Sequence, residues 1–108
     1  EEVHRLHLQM MARSETRERL EYFKLNQAIH SAMVAASGNY VLMEMHETLQ
    51  ARIKRLRFIG NEGPVKWAGA VDEHERMMAA LLRRDAAALS QVIGEHMDST
   101  LLRVREVL

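Results

Sequence analysis

Helix-breaking residues are scarce in this 108-residue chain: it holds one Pro and five Gly, while Ala, Leu, Met, Glu and Arg abound. The abundant residues lose little side-chain freedom in a helix, and no stretch sustains a two-residue alternation of β-branched side chains. The chain is therefore restricted to an all-α fold. Its few punctuation marks lie far apart. Ser14 is placed as an N-cap, SGN at 37–39 offers a Gly stop followed by an Asn start, GNEGP at 60–64 reads as a loop, and Asp85 can cap a last helix. Five helices are predicted, over residues 2–12, 15–37, 40–59, 65–83 and 86–107. Connections of about one to five residues make sequence neighbours antiparallel, which implies a helical bundle.

Residues 1–108 are one domain's worth of chain, and with 47% hydrophobic residues they can bury a modest core. Fifteen basic residues balance fifteen acidic ones, so the segment lacks the positive face that phosphate backbones require and is not expected to bind DNA by itself. The absence of cysteine excludes disulfides and thiolate ligands and fits a cytoplasmic setting. Any metal must therefore be held by His, carboxylate or amide groups. No apolar run approaches the roughly 18 residues of a membrane span. The chain opens on EEVHRLHLQMMARSE, polar helical text without an initiating Met, and is expected to be part of something longer. Eight Met residues, including the pair Met77 and Met78, point to a pliable core.

Three predicted helices put polar residues where apolar ones belong. At 100° per residue, Phe23, Asn26, His30, Met33 and Val34 share one direction on the second helix. On the fourth, His74 sits near the centre of a face formed by Trp67, Ala70, Val71, Met77, Met78 and Leu81. On the fifth, Leu89, Val92, Ile93, Thr100 and Val104 define an arc that also contains His96. One buried His is ordinarily a core residue hydrogen-bonded to backbone or water. Three imidazoles and an amide are harder to satisfy together, since each unpaired buried polar group costs on the order of 1–3 kcal/mol. A divalent ion satisfies all of them. Imidazole nitrogens suit Zn or Ni, the Asn amide oxygen adds a further donor, and an i, i+4 pair delivers two ligands from one helix. Asn26, His30, His74 and His96 are thus the candidate ligands.

Other polar residues have plainer readings. Arg52 lies on the shoulder of the third helix's stripe of Leu42, Met45, Leu49, Ile53 and Leu56, where its guanidinium either reaches a carboxylate or snorkels into water. Lys54, Arg55 and Arg57 read as a solvated face, and His4, His7 and His46 as surface residues or supports to the ligands. Glu73 and Glu75 flank His74 but point away from its direction.

The block LNQAIHSAMVAASGN, the following LQARIKRLR, then DEHERMMAALLRRDAAAL and GEHM together resemble the effector-binding C-terminal (FCD) domain of the FadR subfamily of GntR-type transcriptional regulators. The likeness runs over nearly the whole chain. In that family an Asp or Asn, a His one turn later and two further His coordinate a divalent metal, with a register that matches the 44 residues from His30 to His74 and the 22 from His74 to His96. Two departures stand out. Ile29 replaces the usual aromatic residue, and Asn26 stands where Asp is commoner, which removes one negative charge from the site. The resemblance implies an FCD-like bundle lacking its first helix, with that helix and a winged helix-turn-helix DNA-binding domain upstream of Glu1.

It also implies a sensor. A small carboxylate effector would complete the coordination of the ion, Arg52 would pair with its far end, and the domain would form a homodimer that reaches DNA only through the upstream domain. Protonated His is no ligand, so metal is expected to be lost below about pH 6.5. Two other readings compete. One is a metal-dependent hydrolase, for which no inward carboxylate base or partnered nucleophile is visible; the other is a metal-free helical dimerisation module.

Overall fold

The computed structural model describes residues 2–60 and 62–106. Asn61 of the predicted loop and position 107 of the predicted last helix lie outside the described residues. Five helices follow one another, α1 (Glu2–Glu15), α2 (Arg19–Ala35), α3 (Tyr40–Gly60), α4 (Pro64–Leu82) and α5 (Ala86–Arg105), and no strand occurs among the described residues. The all-α expectation holds.

Most boundaries follow the predicted chemistry. Gly38 takes a positive φ of 71° after α2, and Asn39 then caps α3 by accepting from the Leu42 amide at 3.0 Å. Asp85 caps α5 in the same way, accepting from the Ala88 amide at 3.0 Å. Pro64 opens α4 after Gly63, whose φ is 96°.

The Ser14 cap is a correction. Helix α1 continues through Ser14 to Glu15, and the turn that closes it contains Arg17, which is left-handed at φ 58°. The Arg17 amide bonds to the Ser14 carbonyl at 3.2 Å and the Glu18 amide to the Arg13 carbonyl at 2.9 Å, the paired pattern that closes a helix C-terminus. Arg84 ends α4 likewise, with φ 56° and with Arg84 and Asp85 amides bonded to Leu81 and Ala80 carbonyls. Arginine is not the residue that announces a left-handed stop, so neither Arg17 nor Arg84 stood out.

The chain divides into two compact units, Glu1–Lys54 and Arg55–Leu108, with the division inside α3. In the first, α1 packs on α2 around Leu6, Met10, Tyr22 and Ile29, and Met10 is wholly enclosed. The amino-terminal part of α3 is tied to α2 through buried Gln50, whose amide donates to Ser31 Oγ at 2.8 Å and to the Gln27 carbonyl at 3.4 Å. In the second, α4 packs on α5 through Ala70, Met77, Met78, Ala80, Val92 and Val104. Gly60 lies against Val104 so closely that a Cβ there would stand 2.9 Å from Val104 Cγ2. Met10, Met77 and Met78 fill core positions as expected, while Met45 and Met97 are exposed.

The stripe on α3 behaves differently from the faces of α2, α4 and α5. Leu42, Met45, Leu49 and Leu56 are exposed, Leu49 by 58%, and Tyr40 and Val41 at the head of the helix are more exposed still. Periodicity identifies an apolar face but does not say what covers it.

Candidate metal centre

All four predicted ligands are buried: Asn26, His30, His74 and His96 retain 2–5% of their accessible surface. Asn26 and His30 lie one turn apart on α2, on the face that Tyr22 and Ile29 also occupy. His74 lies in the middle of the buried face of α4, between Ala70 and Met77 and Met78, and His96 holds the corresponding place on α5 between Val92 and Val104. Within the second unit the structure brings two of them together. The rings of His74 and His96 meet edge to face, with centroids 4.8 Å apart and an interplanar angle of 88°. His30, buried in the first unit, and His74 and His96, buried in the second, each carry ring nitrogens of the kind that ligate a divalent ion.

A donor set suited to a divalent cation should also show acceptors that the protein leaves unsatisfied, and Asn26 supplies one. Its Oδ1 is fully buried without a hydrogen-bond partner. Such an orphan is uncommon in a folded protein and is costly unless something outside the chain pairs with it. Imidazole nitrogens with one neutral amide oxygen suit Zn or Ni better than hard, oxygen-preferring ions. On both counts the residues present fit a metal.

The structure adds a residue group that the sequence reading passed over. Glu73 is buried, contrary to its expected outward direction, and Glu75 is exposed. The Glu73 carboxylate accepts from His96 Nδ1 at 2.6 Å and from both terminal nitrogens of Arg103, at 3.1 Å and 2.9 Å. Arg103 also reaches Thr100 Oγ1 at 3.3 Å, and that hydroxyl donates to the His96 carbonyl at 2.8 Å. Burial pushes the Glu73 carboxyl up, but the hydrogen bonds from His96 and Arg103 and the Arg103 charge outweigh it and bring it down from 4.5 to about 2. A carboxylate held ionised can only accept. His96 Nδ1 therefore carries the proton, and Nε2 is the nitrogen with a lone pair to offer.

One signal for this group was present. His96, Thr100 and Arg103 fall at i, i+4 and i+7 on a single face of α5. Glu73 points away from the His74 direction on its own helix, but its partners come from α5. His7 is buried on α1, so of its two readings the surface one does not hold. His4 and His46 are partly covered, and Arg52 is exposed on α3.

The comparisons with known proteins identify the family. A model of the FCD domain matches residues 1–99. Over 76 residues the chain is 34% identical to the HTH-type transcriptional repressor GlaR of Escherichia coli (strain K12), a match that covers 67% of this chain and 34% of that repressor. The matched part thus amounts to about a third of its relative's length. No solved structure matches the chain. From a family model that spans almost the whole chain and a likeness to a repressor that carries a DNA-binding motif in its name, the chain belongs to the FCD domain family of GntR-type transcriptional regulators.

Proposed function

We propose that this domain senses a small organic acid through a divalent ion, Zn or Ni, held by Asn26, His30, His74 and His96. The observation that carries the reading is the unsatisfied buried Oδ1 of Asn26, one turn from buried His30, in an FCD chain that also buries His74 and His96. When bound, the ion supplies Lewis-acid positions for an effector carboxylate. The chain's residues do the rest. Helices α2, α4 and α5 present the ligands, Glu73 fixes the ring of His96, and exposed Arg52 pairs with the far end of the effector. Binding then favours one helix arrangement over another by the difference in binding energy between the two states, and that preference alters DNA binding by an upstream domain.

The regulator works as a homodimer in this reading. The exposed stripe of Leu42, Met45, Leu49 and Leu56 recurs every three to seven residues along α3 and offers an apolar face that a second copy would cover.

Elemental analysis of protein purified without chelator, followed by a thermal-shift series with EDTA, added Zn or Ni and a panel of organic acids, tests the sensor. Stoichiometric metal and a melting point raised by a carboxylate only in the metal-loaded protein are expected. Metal-free protein that no added ion stabilises overturns the reading. Turnover of ester or amide substrates by the loaded protein would favour the hydrolase instead.

A further inference from the structure

We propose that Glu73, clamped by Arg103, is the positioning residue that makes His96 an Nε2 ligand, and that Arg103 therefore controls metal affinity without touching the metal. The inference rests on the metal reading above and names a control on that site.

Four observations carry it. The Glu73 carboxylate lies 2.6 Å from His96 Nδ1, short even for a charge-assisted bond. Both Glu73 and Arg103 have side chains only 11% exposed, so their ion pair is neither a surface pair nor strongly screened. The guanidinium engages both carboxylate oxygens, which fixes the plane of the carboxylate as well as its place. Finally, Arg103 and His96 lie two turns apart on α5 and are joined through Thr100, so the clamp and the ring it acts on share one rigid helix.

An imidazole chooses between two tautomers according to what its nitrogens meet. Opposite an ionised carboxylate only Nδ1–H is satisfied, because the alternative sets a lone pair against a negative charge. Without Arg103 nothing fixes the plane of the carboxylate, and Glu73 can turn its oxygens off Nδ1. The tautomer would then no longer be dictated. Arg103 thus holds the carboxylate that holds the proton that orients the ligand. Partners of this kind change metal affinity by about 10- to 100-fold when removed from other metal sites.

The test uses the chain as it is, with Zn as probe. Zinc affinity is measured by competition with a chromophoric chelator for wild type, Glu73→Gln, Glu73→Asp, Arg103→Met and, as control, Arg76→Gln, which breaks the exposed Arg76–Glu95 pair joining the same two helices. In parallel, nitrogen chemical shifts of His96 are read in the metal-free proteins. Expected are a 10- to 100-fold loss for Glu73→Gln and for Arg103→Met, a smaller loss for Glu73→Asp, and none for Arg76→Gln. His96 should be the Nδ1–H tautomer in wild type and a mixture in Glu73→Gln, whose side-chain amide can accept or donate. Should Glu73→Gln fail to fold, Arg103→Met and Glu73→Asp decide by the same two readouts. Wild-type zinc binding with undiminished affinity in folded Glu73→Gln, or an Nε2–H tautomer in the metal-free wild type, overturns the proposal. Failure of the wild type to bind zinc at all overturns the metal reading itself, and with it the effect on affinity.

Discussion

His96 on α5 and Glu73 on α4 stand 23 residues apart in sequence, and Nδ1 of the first donates to Oε1 of the second across 2.6 Å in a buried setting. This bond explains how an acidic residue is accommodated beside a core of Met and Val. The carboxylate is paid for by three hydrogen bonds, two of them from Arg103.

The bond gives stability a pH dependence in the metal-free protein. The folded Glu73 carboxyl titrates at about 2 against an ordinary value of 4.5, so it releases its proton more readily when folded. Its contribution is complete above about pH 4.5 and is lost as pH falls toward about 2. Chemical denaturation followed between pH 6 and pH 2 should show Glu73→Gln losing less stability over that interval than wild type. Parallel curves would contradict the assignment.

Asn26 separates metal binding from stability. Its unsatisfied Oδ1 contributes no hydrogen bond to the fold, so Asn26→Ala should leave the metal-free melting point nearly unchanged and weaken zinc binding on the order of 10-fold. Asn26→Asp should do the reverse, strengthening zinc binding through its added charge while lowering metal-free stability by about 1–3 kcal/mol through a buried, unpaired carboxylate. Calorimetric melts with and without zinc measure both.

Gly60 and Val104 are coupled sterically. A methyl group at Gly60 would meet Val104 Cγ2 at 2.9 Å and the Val104 amide nitrogen at 3.4 Å. Alanine gains up to about 1 kcal/mol in helix propensity, less at a helix end, whereas overpacking costs about 1–3 kcal/mol. The clash should win, leaving Gly60→Ala less stable by about 1–2 kcal/mol. In Gly60→Ala/Val104→Ala the penalty should fall below the sum of the single changes. Additive penalties in urea melts would exclude the contact.

Leu49 tests the pairing of two copies. It is 58% exposed, so Leu49→Lys should change the stability of one copy by no more than about 0.5 kcal/mol. In a homodimer paired along α3 it should shift sedimentation toward the monomer. An unaltered dimer in Leu49→Lys would place the interface elsewhere.

The helices are legible in the chain alone, because scarcity of Gly and Pro and a 3.6-residue period are local properties; Asn39, Pro64 and Asp85 mark starts through their own side chains. So are the faces of α2, α4 and α5 that turn inward, and hence the burial of Asn26, His30, His74 and His96. Tertiary structure decided the rest. Arg17 and Arg84 adopt left-handed backbone that nothing in arginine advertises, and the α3 stripe, apolar by the same rule as the others, stays exposed because coverage depends on neighbours. Whether Glu73 faces water or a ring was settled by α5, which brings Arg103 and His96 to it: a charge can be buried only where partners from another segment arrive to receive it.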